Sequence, residues 1–119
     1  MAQYVPEEVT DADVERVIGR DYPPDKHAEI RELIRDVDVR EKPRVMLACL
    51  KNGNGDFGKL KGDLTNASGW YREIISEAEY PNYTKKMFHF DSLSTEEKER
   101  IFEADKAQYL EWLSRGKRF

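Results

Sequence analysis

The sequence predicts an all-α protein, a single-domain bundle of five or six helices. Apolar residues recur at helical spacing in almost every segment, and capping signals separate these segments. The one continuous apolar run, residues 45–50, has no second strand candidate with which it could form a sheet. The 119 residues are one domain's worth, and no shift in composition marks a boundary, so residues 1–119 are expected to form a single helical domain.

Two amphipathic helices are predicted in the first third of the chain. The first begins with a capping box formed by Thr10 and Asp13, and Gly19 is expected to end it. Its apolar face consists of Val14, Val17 and Ile18. Pro23 and Pro24 suit the start of the second helix, because a proline in the first turn loses no helical hydrogen bond. The apolar face of that helix consists of Ile30, Leu33, Ile34 and Val37.

A central helix is predicted at about residues 43–52. Pro43 suits its first turn, and residues 45–50 are all apolar, which fits a buried strand as well as a buried helix. Methionine, leucine, alanine and lysine dominate this segment and are good helix formers. We therefore expect an apolar helix that the other helices surround.

Two more helices and an ordered loop are predicted before the C-terminal helix. Apolar residues at spacings of three and four predict a short helix over residues 57–67. The same spacing predicts another over residues 71–78, which Pro81 ends. Residues 82–93 carry too many aromatic residues for an extended linker, and are expected to form an ordered loop.

A long C-terminal helix is predicted at about residues 95–115, opened by a capping box of Ser94 and Glu97. Asp105 lies in the middle of its apolar stripe. A carboxylate at such a position must be paired, because burying it alone costs several kcal/mol. The expected partner is an arginine, a tyrosine hydroxyl or an indole N–H. Asp105 with Tyr71 and Arg72 is the candidate buried polar site.

The stretch GNGDFG, residues 53–58, matches G-x-G-x-x-G in letters, but the sheet that a dinucleotide site requires is not predicted. A calcium loop is the second interpretation. It fails at its sixth position, where Phe57 stands in place of the glycine that allows the sharp turn. The oxygen ligands of that loop would be Asn52, Asn54, Asp56 and Asp63.

The favoured interpretation of this stretch is a turn between two helices. Gly53 and Gly55 can adopt left-handed conformations that end a helix, and Asp56 can cap the next one. Gly58 and Gly62 remain unexplained, since glycine inside a helix costs about 0.5–1 kcal/mol relative to alanine.

No residue set predicts an enzyme. Cys49 lies in the apolar run with no base near it, which is typical of a buried structural thiol. His27 and His89 have no acidic or thiol neighbours at metal-ligand spacing. We therefore expect no catalytic, metal-binding or cofactor-binding residues, while a site assembled from distant residues stays open.

Charge and composition limit the partners. The net charge of −4 argues against a dedicated nucleic-acid binder, and a single cysteine suits a reducing cytoplasm. No apolar run of about 18 residues predicts a membrane span, and the polar N-terminus does not resemble a signal peptide. A soluble cytoplasmic protein is expected.

The function predicted from these features is that of a non-enzymatic protein-interaction or regulatory module, with another protein as its partner. The candidate partner surface consists of Glu77, Glu79, Tyr80, Tyr83, Lys85 and Lys86. One alternative is a nucleic-acid-associated protein that uses residues 80–86 and the C-terminal basic segment RGKRF. The other is a small enzyme or ligand binder with a site near Asp105. Partner identity and oligomeric state are not predicted.

The segments RVMLACLK, NGDFGKL and WYREIISEAEYP, within residues 44–81, together resemble a group of small uncharacterised bacterial helical proteins. The shared pattern is RVxLAxLK, then GD, then YR, then AEYP, and EADKAQYLEWL in the final helix is also similar. This chain departs from the pattern at Trp70 and Glu73, where aspartates are usual. The resemblance implies a helical cytosolic protein and carries over no catalytic residue.

Overall fold

The computed structural model describes residues 9–115, and over that range it is a bundle of six α-helices with two short 3₁₀ turns. The predicted all-α bundle is confirmed. The helices are α1 (Asp11–Asp21), α2 (His27–Arg35), α3 (Lys42–Gly53), α4 (Phe57–Glu79), α5 (Pro81–Lys86) and α6 (Thr95–Ser114). The 3₁₀ turns are Pro24–Lys26 and Met87–Ser92.

Helix α3 is the centre of the bundle, as its apolar run predicts. Residues 45–50 are buried around the whole circumference of the helix, which explains why their pattern shows no polar face. Helices α1 and α4 supply most of the surrounding contacts. The core residues that these two helices contribute are Val14, Val17, Ile18, Leu60, Leu64, Ala67, Ile74 and Ala78.

Helix α4 is two helices joined at a kink. Trp70 has non-helical backbone angles (φ −114°, ψ 19°), and the segments on either side of it correspond to the two helices predicted at residues 57–67 and 71–78. In a straight helix Lys59 and Glu77, eighteen residues apart, would be separated by about 27 Å. Instead Nζ of Lys59 lies 3.3 Å from Oε1 of Glu77. The kink therefore turns the second segment back, and both segments bury apolar residues in the core around α3.

Helix α1 begins with the predicted capping box, in which the amide of Thr10 donates to the Asp13 carboxylate at 2.9 Å. The prediction that Gly19 ends this helix was wrong, since α1 continues to Asp21. Arg20 and Asp21 form a buried ion pair at 2.7 Å. Arg20 also donates to the backbone carbonyl of Trp112 at 2.8 Å. These contacts with the C-terminal end of α6 outweigh the modest helical cost of one glycine.

Residues 82–93 were predicted to form an ordered loop. They instead form the greater part of α5 and the second 3₁₀ turn. Their aromatic residues do order the segment. Phe90 is buried and contacts the rings of Tyr83 and Phe102, with centroid distances of 5.0 and 5.4 Å. Tyr83 and Phe102 are themselves stacked at 5.8 Å. This three-ring cluster holds α5 and the 3₁₀ turn against α6, a long-range contact that local periodicity does not report.

Candidate functional site

The glycine-rich stretch forms a turn between two helices, which confirms the favoured interpretation. Helix α3 ends at Gly53, and Asn54 (φ 48°) and Gly55 (φ 86°) then take left-handed conformations. Asp56 caps α4 by accepting a hydrogen bond from the amide of Lys59 at 3.2 Å. Gly53 was expected to be left-handed, but it is the last helical residue, and Asn54 takes the left-handed conformation before Gly55. Asparagine tolerates this conformation better than most residues do.

The space available for a side chain differs among Gly53, Gly58 and Gly62. A Cβ atom on Gly53 would collide with the hydroxyl of Tyr22, so the close approach lies at the end of α3. A Cβ on Gly58 would lie 3.3 Å from Oδ1 of the capping Asp56, a tight contact with the cap itself. A Cβ on Gly62 would have nothing within 4 Å. No close packing therefore explains Gly62.

One residue that could have formed part of a calcium loop, Asn52, helps to hold the kinked α4 together. The side-chain amide of Asn52 donates to the carbonyl oxygen of Ile74 at 2.9 Å. Nζ of Lys59 donates to the carbonyl oxygen of Asn52 at 2.9 Å and pairs with Glu77. Burial raises the pKa of Asp63, and the nearby Lys59 opposes that rise. Within residues 9–115 no group of three or more histidine, cysteine, aspartate or glutamate residues could hold a metal ion.

The cysteine and the histidines are placed as structural residues. Cys49 is fully buried, and burial raises the pKa of its thiol to about 12, which keeps it protonated and unreactive at neutral pH. Nε2 of His27 lies 2.6 Å from the carbonyl oxygen of Tyr22 and closes the turn into α2. His89 is exposed on the second 3₁₀ turn.

Asp105 is fully buried and caps α5. Its Oδ1 accepts from the amide of Asn82 at 2.8 Å and its Oδ2 from the amide of Tyr83 at 3.1 Å. The expectation that this carboxylate is hydrogen-bonded is confirmed, but the donors are backbone amides and not the side chains that were expected. These amides belong to the first turn of a helix, where they have no intrahelical partner.

Tyr71 and Arg72 do not join Asp105 in a polar site. Nε of Arg72 donates to the Tyr71 hydroxyl at 3.2 Å, and the guanidinium lies 5.6 Å from the centroid of the same ring. Arg72 is exposed on the second segment of α4, whereas both carboxylate oxygens of Asp105 are bonded to α5. The candidate buried polar site is therefore not assembled.

Glu79 belongs to the core and not to the candidate partner surface. It is fully buried, and its carboxylate accepts two hydrogen bonds from Arg44, each at 2.8 Å. These hydrogen bonds raise the pKa of Arg44. The arginine partner lies 35 residues away, on α3, where spacing along the chain could not reveal it.

Three residues of the candidate partner surface line one groove, and Arg72 joins them. The groove has a volume of about 410 Å³ and lies between the second segment of α4, α5 and the start of the 3₁₀ turn. We call it the α4–α5 groove. Its lining consists of Arg72, Glu73, Ser76, Glu77, Pro81, Tyr83, Thr84, Lys85 and Met87. Of the remaining candidates, Lys86 is exposed beside the groove, and Tyr80 is partly buried, which raises its pKa.

Two exposed apolar side chains adjoin the groove. Met87, in its lining, is 48% exposed, and the neighbouring Phe88 is 89% exposed. The aromatic residues of this segment were expected to order it, and Tyr83 and Phe90 do so, whereas Phe88 remains exposed. No periodic signal distinguished Phe88 from Phe90, because the 3₁₀ turn that separates their faces was not predicted.

A second cavity, of about 320 Å³, lies between α1, α2 and the start of α3. Arg31 in its lining is paired with Glu15 at 2.9 Å. Nε of Arg31 donates to both carboxylate oxygens of Glu15, so this ion pair links α1 to α2 across the cavity wall.

The C-terminal basic segment of the nucleic-acid alternative lies outside the described residues from residue 116 onward. Among the helices that the structure describes, none has the length and apolar character needed to cross a membrane. Comparisons of the chain with protein-family models, with curated proteins and with solved structures found no match.

Proposed function

We propose that this chain is a non-enzymatic protein-interaction or regulatory module of the cytoplasm, and that it binds another protein at the α4–α5 groove. The observation that carries the proposal is the exposure of Met87 and Phe88 beside that groove. Large apolar side chains exposed together next to a concave surface are typical of binding sites.

The energetic argument is that a partner would remove these side chains from water. Burying an exposed phenylalanine or methionine side chain contributes about 1.5–3 kcal/mol. Phenylalanine and methionine are also enriched at protein–protein interfaces. The surface next to them is held in shape by Asp105, which caps α5, and by the ring of Phe90. A partner would therefore meet a preorganised surface, which lowers the entropic cost of binding.

Both alternative functions have less support. A nucleic acid would meet Glu73 and Glu77 in the groove, on a chain whose net charge is −4. An enzyme centred on Asp105 would need a carboxylate that can reach a substrate, and both oxygens of this one accept hydrogen bonds from backbone amides. The reducing compartment is supported by Cys49, a buried free thiol.

The test is affinity purification of the tagged chain from its native cells, in parallel with the variants Phe88→Ser and Trp70→Ser. Trp70 is the matched control, because it is also a large apolar residue and is 59% exposed, yet neither it nor its neighbours in the chain line the groove, whereas Phe88 follows Met87 of the lining. We expect a protein partner that co-purifies with the wild type and with Trp70→Ser and is lost with Phe88→Ser.

Binding of the identified partner to each purified and folded variant is then measured by calorimetry. Equal binding to the wild type and to Phe88→Ser would contradict the proposal. Co-purification of material that nuclease treatment removes would favour the nucleic-acid alternative instead.

A further inference from the structure

Two cations and two carboxylates line the α4–α5 groove, and they differ in how they are paired. Arg72 and Lys85 line the groove and Lys86 follows it, and among residues 9–115 none of these three cations forms an ion pair. Of the two carboxylates in the lining, Glu77 is paired with Lys59, and Glu73 alone has no cationic partner in the same range. Two unpaired cations and one unpaired carboxylate thus line the groove, and Lys86 adds an unpaired cation next to Lys85 in the chain.

The arginine of the groove is already oriented. The Tyr71 hydroxyl accepts a hydrogen bond from Nε of Arg72, and the tyrosine ring lies 5.6 Å from the guanidinium. Both terminal nitrogens of Arg72 are left without a protein acceptor among the described residues. A guanidinium presented in this way can bind a carboxylate through two parallel hydrogen bonds, and less side-chain entropy is lost than for a freely rotating arginine.

Apolar surface lies between these cations. Pro81, Tyr83 and Met87 line the groove, and Tyr83 is fixed from behind by its contacts with Phe90 and Phe102. The volume of about 410 Å³ lies in the lower part of the range of ligand-binding cavities. It suits a side chain or short segment better than a large cofactor.

From this arrangement we infer that the α4–α5 groove binds a peptide segment in which an apolar side chain is flanked by carboxylates. The apolar side chain contacts Tyr83 and Met87, and the carboxylates pair with Arg72 and Lys85. This inference rests on the proposed function and adds the chemistry of the partner. A peptide is favoured over a nucleic acid because binding a row of phosphates needs a row of cations, and the groove lining supplies only Arg72 and Lys85.

The experiment is a selection from a displayed library of random short peptides against the immobilised protein. Enriched peptides are synthesised with a fluorescent label, and their binding is measured by anisotropy against three variants. These are the double variant Arg72→Glu/Lys85→Glu, the variant Met87→Ser, and the control Lys61→Glu. Lys61 is an exposed lysine on α4 that is not part of the groove lining.

The expected result is a consensus of glutamates or aspartates around a large apolar residue. The double variant removes two exposed ion pairs and adds repulsion between like charges, so it should weaken binding about tenfold. Met87→Ser should also weaken it, added salt should reduce it, and Lys61→Glu should leave it within about twofold.

Other outcomes separate this inference from the proposed function. If the enriched peptides are neutral or basic and Met87→Ser abolishes their binding, the inference of an acidic segment is overturned, but the groove remains a binding site. No enrichment, or enriched peptides that bind all variants equally, would overturn both. A concentration-dependent dimer that Met87→Ser dissociates would identify a second copy of this chain as the occupant and overturn the inference. Tighter binding of labelled single-stranded DNA than of any peptide would likewise overturn it.

Discussion

Replacing Asp105 with alanine should destabilise the whole protein, although the residue lies far from any site of chemistry. Its buried carboxylate accepts hydrogen bonds from the amides of Asn82 and Tyr83 and so caps α5. Asp105→Ala removes both acceptors and leaves two amides of a helical first turn without a partner. The same change removes one attachment of α5 to α6 and leaves the ring cluster of Tyr83, Phe90 and Phe102 as another.

The magnitude follows from the two bonds that are lost. A hydrogen bond to a charged group contributes about 1.5–3 kcal/mol, and loss of an N-cap costs about 0.5–2 kcal/mol. Asn82 and Tyr83 are only partly buried, so water can form hydrogen bonds with their amides and offset part of this loss. Removing the buried carboxylate also recovers some of its desolvation energy. We expect a loss of about 2–4 kcal/mol. For a domain of this size that corresponds to a fall in Tm of about 8–16 °C.

The assay is thermal and urea unfolding followed by circular dichroism, together with amide hydrogen exchange. The matched control is Glu103→Ala, which removes an exposed carboxylate from the same helix. Asp105→Asn retains one acceptor oxygen and should lose about half as much stability. The amides of Asn82 and Tyr83 should lose protection in Asp105→Ala and keep it in the control. A Tm for Asp105→Ala equal to that of Glu103→Ala would refute the capping role.

Three further predictions concern stability. Gly62→Ala should raise the free energy of unfolding by about 0.5–1 kcal/mol, because the new Cβ has no atom within 4 Å. Gly53→Ala should lower it by about 1–3 kcal/mol, because the new Cβ would collide with the buried hydroxyl of Tyr22. Urea unfolding measures both, and a Gly53→Ala variant more stable than Gly62→Ala would contradict the prediction. Glu79→Gln should cost about 2–4 kcal/mol in the same assay, since it removes the buried charge that pairs with an arginine, and the exposed pair in Glu77→Gln should cost less than about 1 kcal/mol. The thiol of Cys49 has a pKa of about 9 in the unfolded state and about 12 in the native state. Between pH 9 and pH 12 the unfolded state therefore binds fewer protons, and the free energy of unfolding falls as the pH rises. Cys49→Ala should reduce the slope of that fall by up to about 1.4 kcal/mol per pH unit, and an unchanged slope would contradict the raised pKa of Cys49.

The parts of the fold that could be predicted are those with a local signal. The capping box at Thr10, the caps at Asp56 and Ser94 and the burial of residues 45–50 are confirmed, although at Ser94 only its side chain accepts a hydrogen bond, from the Glu97 amide. Each depends on residues within a few positions of one another, where helix geometry determines which side chains meet. The failure at Gly19 has the opposite origin, because the last turn of that helix is stabilised by contacts with the far end of the chain.

The candidate site was predicted only in part, and for the same reason. Glu77, Tyr83 and Lys85 do line one groove, but Glu79, two positions from Glu77, is buried against an arginine of another helix. Which member of an acidic pair faces water depends on the direction in which the kinked helix crosses its neighbour. Sequence spacing carries no information on that crossing.

By itself, the sequence determined that this protein is helical, which helix lies at its centre, and where most helices begin, since propensity, periodicity and capping act within a turn or two of the chain. Only the tertiary structure decided that α4 folds back at Trp70, that Asp105 caps a helix more than twenty residues earlier, and that Met87 and Phe88 remain exposed beside a groove. These features arise where segments distant in sequence meet, and there the packing of whole helices outweighs the preference of any single residue.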